Sequence, residues 1–290
     1  MASSKALRRH DIERPVLDLS GDALRAALQI MIAGSEEHGG IERYIDAVKL
    51  KSTMFRQALF DNDVAALDLE TFKGLCTFMA TVRRRVGNWL NEEAFADMRA
   101  GIVELFDDDV SVDDRTTRFC ARFPQDKKHR WVKDLAAELM HNADPERIPL
   151  MNRWVWDAKS NTGVIREAWH ADNVDHITIP VADGYATCLT LREELSQFLS
   201  DNGFFRDVLF YVDVLCAQVY AQYICEQGGS YLRADFSAPE DPMQHTRRLL
   251  GLDGVRPGDG RTRLKSIDGE AFVLDDGDDA EANGIQNANT

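Results

Sequence analysis

The stretch from Phe204 to Glu226 reads FFRDVLFYVDVLCAQVYAQYICE, and its pattern decides the fold class. The apolar residues run nearly all round a helical turn instead of along one stripe, which is the signature of a helix enclosed by other elements. Gly203 stands before it and Gly228-Gly229 after it, residues that stop helices. The expectation is one long central helix with further helices packed around it. A bilayer crossing of the same stretch is disfavoured by Arg206, Asp207 and Asp213, because a charge at mid-membrane costs about 2.5–3.5 kcal/mol.

Outward from this segment the helical signals are dense. Ser20 is placed to cap a helix with Leu24, Ala27, Leu28 and Met31 on one face, ending at Gly34. A second helix is expected over Ile41 to Phe60. A third follows Asp68, with Phe72, Leu75, Cys76, Met79, Val82, Val86 and Trp89 on one stripe, and a fourth follows Asn91, with Phe95, Met98, Ile102 and Leu105 inward. Beyond the acidic turn Asp107 to Asp114, the residues Trp131, Val132, Leu135, Leu139 and Met140 predict an amphipathic helix ending near His141. Thr190-Leu-Arg-Glu193 has the form of a capping box leading into Leu195, Phe198 and Leu199. Asp241-Pro242 and Gly251 bracket a short helix.

Only two regions look β-like. Ile177, Ile179 and Val181 alternate within Asp172 to Cys188, and Leu264 to Ile267 and Ala271 to Leu274 flank the hairpin turn signal Asp268-Gly269. Asp275 to Thr290 is too poor in apolar residues to offset chain entropy. The sequence therefore predicts a mainly α, multi-helix orthogonal or bundle-like globular protein with a small C-terminal β-hairpin and a disordered acidic tail. Its expected divisions are a flexible segment over 1–18, a helical domain over 19–252, a loop plus hairpin over 253–274 and the tail over 275–290.

Composition narrows the function classes. The chain has 290 residues, 44% hydrophobic and 29% charged, with 34 Lys plus Arg against 49 Asp plus Glu and a formal net charge of −15. That balance argues against nucleic-acid coating or attachment to an anionic membrane. Met1 to Pro15 carries Lys5, Arg8, Arg9 and Arg14 but no apolar run of signal-peptide type. The cysteines Cys76, Cys120, Cys188, Cys216 and Cys225 are odd in number and form no C-x-x-C, which fits reduced thiols in a cytoplasmic protein. The signatures of P-loop NTPases, Rossmann dehydrogenases, α/β-hydrolases and zincins are absent from the sequence.

Three groups of residues remain as candidate sites. Met151 to His176 holds Arg153, Trp154, Trp156, Asp157, Arg166 and Trp169, a tryptophan and arginine set able to stack on a planar ligand or anchor a protein partner. The plainer reading is a core corner with ion pairs at its rim. Two Glu-x-x-His pairs, Glu138 with His141 and Glu167 with His170, have metal-ligand spacing on a helix face. With Glu194, or with Asp241 and His245, they would suit a carboxylate-bridged di-iron or di-manganese centre, with Fe or Mn as cofactor. Ordinary helix-face pairing explains the same spacing. His170, Asp172, Asp175 and His176 form a second nitrogen and oxygen cluster, which a polar turn explains equally.

The third group is the basic, aromatic stretch Arg115 to Lys133, where Arg118, Arg122, Lys127, Lys128 and Arg130 could hold phosphates while Phe119, Phe123, His129 and Trp131 stack. The alternative is internal pairing with the adjoining acidic run. The leading expectation is a helical accessory, regulatory or scaffold protein acting by protein–protein or small-ligand binding. A helical-bundle metalloenzyme stands second, and nucleotide or single-stranded nucleic-acid binding third.

Overall fold

The computed structural model describes residues 14–171, 173–229 and 243–253. Among these residues it is mainly helical and contains no strand. Ten α-helices follow in chain order: α1 (Gly21–Ser35), α2 (Ile41–Arg56), α3 (Leu69–Thr77), α4 (Glu92–Leu105), α5 (Val112–Ala121), α6 (Trp131–Ala143), α7 (Val164–Glu167), α8 (Tyr185–Asp201), α9 (Val208–Gly229) and α10 (Gln244–Leu249). The expected hairpin over 264–274 and the acidic tail lie outside the described residues.

Local caps set several of the helix starts. The Ser20 hydroxyl accepts from the Ala23 N–H at 3.3 Å, Asp68 from Thr71 at 2.8 Å and Asn91 from Ala94 at 3.0 Å. Each satisfies a donor that the first helical turn leaves without a partner. A fourth cap, Ser111 accepting from Asp114 at 3.1 Å, starts α5 inside what the sequence suggests is only an acidic turn.

Helix α9 is the central element, packing against α1, α2, α7, α8 and α10. Its window Val208–Cys225 is long and apolar enough to cross a membrane by length and composition, but its residues from Tyr211 to Val219 are buried against the neighbouring helices. This helix belongs to one of two hydrophobic cores, together with α1, the first half of α2, most of α8 and the segment around Trp154 to Trp156. The second core is built on α6, with Phe55 near the end of α2, Leu59 in the turn that follows it, and residues from α3, α4 and α5. Helix α2 thus runs from one core into the other, passing Tyr44, Ile45 and Val48 before Lys51 and then Phe55.

Several local expectations are corrected. Helix α1 does not stop at Gly34; it runs to Ser35 and continues as a 3₁₀ turn to His38, closing at Gly39. The helix expected to Phe60 changes into a π-helical turn over Gln57–Asp61. The long third helix is interrupted after Thr77, although Met79, Val82 and Val86 stay buried in the turns that follow. Helix α9 starts at Val208, with Phe204 folded back on Tyr211 at a ring separation of 4.8 Å and Gly203 at φ 93° ending α8.

The Thr190 capping box does not form. Thr190 lies inside α8 and its hydroxyl donates back to the Ala186 carbonyl at 3.0 Å. Helix α8 begins at Tyr185, whose N–H is accepted by the Asp113 carboxylate of α5 at 2.9 Å. A distant side chain supplies this cap, so the local motif is not needed.

The alternation of Ile177, Ile179 and Val181 is real, since Ile179 and Val181 are buried, but no strand partners it. The Asn161 side chain takes that place, donating to the Ile177 carbonyl and accepting from the Ile179 N–H, each at 3.0 Å. Helix α10 closes at Gly251, where φ is 71° and an added Cβ would lie 1.9 Å from the Phe78 carbonyl oxygen. The expected start of α10 at Asp241-Pro242 lies outside the described residues.

Candidate functional site

Lys51 is the residue on which the two cores meet. It occupies an apolar position of α2, one turn past Val48 and one before Phe55, and is 3% exposed. A lone buried ammonium is prohibitive, so its position demands an anion. Glu138 of α6 supplies it at 2.8 Å, and the Leu250 carbonyl accepts a second ammonium hydrogen at 2.9 Å. The same Glu138 carboxylate accepts from Asn142 at 2.8 Å and from Asn152 at 3.1 Å. Ser52, next to Lys51, donates to the Asn142 carbonyl at 2.8 Å.

A second buried pair lies one turn along α6. His141 makes contacts through both ring nitrogens, Nδ1 with the Ile148 carbonyl at 2.9 Å and Nε2 with the Asp213 carboxylate of α9 at 3.0 Å. Both partners are acceptors, which calls for a proton on each nitrogen and hence an imidazolium. Burial pushes the pKa of His141 down, but the Asp213 charge, the two hydrogen bonds and the nearby Glu138 charge together outweigh it and hold the pKa above the ordinary histidine value. A third pair extends the seam: Asp134 is wholly buried and binds Arg153 through the backbone N–H at 2.9 Å and the guanidinium at 2.8 Å. Desolvation raises the Asp134 pKa, with the Arg153 charge opposing it. Three cations face three anions, so the seam is balanced in charge.

Lys51, Glu138, His141, Asp213, Trp154 and Leu250 help to line a cavity of about 10 Å³, room for about one water molecule. The Trp154 indole N–H and the Asn152 side-chain carbonyl have no hydrogen-bond partner among the described residues. The arrangement can hold charge and relay a proton between paired groups. It cannot seat an organic substrate in the shape it has.

The sequence-predicted residues fall as follows. Trp154 and Trp156 are core, 6% and 2% exposed, and the Trp156 indole donates to the Val181 carbonyl at 3.0 Å. Asp157 is buried and paired with Arg130, Arg166 donates to the Asn161 carbonyl, and half-buried Trp169 bridges Leu19. This is the core-corner arrangement, with Arg153 tied to Asp134.

Of the candidate metal ligands, Glu138 and His141 are spent on Lys51, Asn142, Asn152, Asp213 and the Ile148 carbonyl, while Glu194 and His170 are exposed. Glu167 pairs with Arg166, His245 is half-buried on α10, and Asp241 and Asp172 lie outside the described residues. Among the described residues no three His, Cys, Asp or Glu side chains gather as a metal set. In the basic stretch Arg122 pairs with Glu104 and Arg130 with Asp157, leaving Arg118, Lys127 and Lys128 exposed on the surface. Burial pushes the thiols up, Cys120 to about 11 and Cys188 to about 12, which removes them as ready nucleophiles.

Lys51, Asn152 and Asp213 were not among the candidates, although a charge standing at an apolar position of a helix was a signal for two of them. A surface feature was missed as well. Phe60, on the π-helical turn, is 44% exposed and meets Phe106 edge to face at 5.1 Å, with Val103, 38% exposed, one turn before Phe106 on α4. Phe205 and Val16 are more exposed, as individual apolar side chains on a folded surface commonly are. Comparison of the chain with protein-family models, with curated proteins and with solved structures finds no match.

Proposed function

We propose that this protein works by binding a protein partner, as an accessory, regulatory or scaffold component, in the cytoplasm. The observation that carries the reading is the Phe60, Phe106 and Val103 patch, in which a π-helical turn holds Phe60 at the surface against the half-buried Phe106 ring at the end of α4. Turns of this type are rare and recur at functional sites, and exposed aromatic side chains are favoured anchors of interfaces. The interior supports the same reading, because its buried ionisable side chains are matched to one another and the cavity lined by the Lys51–Glu138 and His141–Asp213 pairs is of water size. The free cysteines agree with a reducing compartment.

The test is affinity capture from the native cell extract with the wild-type chain and with Phe60→Asp, compared by quantitative mass spectrometry. The reading expects a reproducible set of proteins retained by the wild type and depleted at least tenfold on the variant. Identical retention by both chains, or retention of nothing, overturns it.

A further inference from the structure

Acidic residues flank both rings of the aromatic patch in the chain. Asp61 and Asp63 stand one and three residues after Phe60, Asp107 and Asp109 one and three after Phe106, and all four are exposed. The backbone holds this arrangement in place: Asp63 adopts φ 62° and accepts from the Ala65 N–H at 3.0 Å, while Asp107 accepts from the Asp109 N–H at 3.0 Å. The cations beside them are largely engaged. Arg122 is paired with Glu104, Arg147 binds Asp108 through two nitrogens, and buried Arg115 faces the same carboxylate, leaving exposed Arg56 as the cation one turn before Phe60. An apolar anchor point within a carboxylate rim attracts an apolar side chain flanked by positive charge and repels one flanked by negative charge.

We propose that the occupant of this patch is a basic amphipathic segment of a partner protein, an apolar anchor seated against Phe60, Phe106 and Val103 with its Lys or Arg residues on Asp61, Asp63, Asp107 and Asp109. This rests on the partner-binding reading and adds to it the chemistry of the partner. The charges steer the encounter and reject acidic competitors, while the aromatic contact slows release.

The experiment is fluorescence anisotropy of the full chain with two labelled synthetic peptides, one carrying leucines on one helical face and Lys and Arg on the other, the second with Glu in place of the basic residues. The basic peptide is expected to bind, the acidic one to bind at least tenfold more weakly. Phe60→Ser and the double variant Asp61→Asn/Asp107→Asn are each expected to weaken the basic peptide about tenfold, with affinity falling as salt rises. Glu92→Gln/Glu93→Gln, acidic residues at the far end of α4, should leave it unchanged.

Equal weakening by the Glu92 and Glu93 control would show attraction to net negative charge alone and overturns the proposal. So do indifference to Phe60→Ser, equal binding of the acidic peptide, or a wild-type dimer by light scattering that Phe60→Ser dissolves, which makes a second copy the occupant. Should extract proteins be lost on Phe60→Asp while neither peptide binds, the patch remains a docking surface and only its basic occupant is refuted. Circular dichroism of each variant separates loss of binding from loss of fold.

Discussion

Between Tyr211 and Val219 helix α9 is buried without interruption, and only Asp213 and Gln218 there carry a charge or an amide. Helix α6 is buried almost as completely from Trp131 to Ala143, yet it takes Asp134, Glu138, His141 and Asn142 inside with it. For α9, removal of apolar area from water is the main driving force, about 25 cal/mol per Å². For α6, a polar face that would ordinarily remain in solvent is covered, and its enclosure requires Lys51, Asp213 and Arg153 to arrive from other parts of the chain. The difference teaches that burial in this protein has two sources: one forgiving of detail, the other dependent on exact partners.

The largest effect is expected from removing one partner of the α6 seam. Glu138→Leu leaves the Lys51 ammonium buried with only the Leu250 carbonyl, and urea unfolding should show a loss of about 3–5 kcal/mol. The double variant Lys51→Met/Glu138→Leu, which removes both charges, should lose much less than the sum of the two single changes. Additive losses would mean that the pair is not coupled.

On α9 the corresponding test is Leu215→Ala, a wholly buried side chain in the apolar core, with an expected loss of about 2–5 kcal/mol. No second substitution of a partner should rescue it in the manner of the Lys51 and Glu138 pair. A smaller effect distinguishes the two helices by pH. The raised pKa of His141 stabilises the fold fully below the unfolded histidine value of about 6.5, and that contribution is lost as pH rises through the folded value. Denaturation midpoints measured upward from pH 6 should therefore fall, no more steeply than about 1.4 kcal/mol per pH unit for this one proton. Asp213→Asn should flatten the slope, and an unchanged slope would assign it to another group.

The smallest stability effect belongs to the surface. Phe60→Ser should change unfolding free energy by less than about 0.5 kcal/mol, while weakening at least tenfold the partner binding proposed for this patch. A loss of several kcal/mol would instead make Phe60 part of the second core.

Much of the helical framework was legible because it depends on neighbours in the chain. Ser20, Asp68 and Asn91 each cap the helix that begins beside them, and a cap needs only a short polar side chain and the next turn of backbone. The stripe predicted from Phe72 to Trp89 is buried as far as Val86 even where the helix carrying it breaks, with Trp89 half-buried, since burial follows hydrophobicity more than it follows secondary structure. The candidate sites were less legible. The sequence singles out Arg153, Trp154, Trp156, Asp157, Arg166 and Trp169 by their density, and the fold buries Trp154, Trp156 and Asp157 among them. The spacing of Glu138 and His141 on a helix places them together but says nothing of what lies opposite.

The apolar pattern, together with the charges of Arg206, Asp207 and Asp213 that disfavour a bilayer, determined that this is a helical protein with α9 at its centre, because a helix with no polar face is stable only where other elements or a membrane enclose it. Tertiary structure alone decided that Asp113 would start α8, that Asn161 would stand in for a strand, and that Lys51 and Asp213 would complete the α6 seam. Each of these contacts joins residues separated by at least 16 positions in the chain. Their energies come from distance and desolvation between side chains that only the folded backbone brings together.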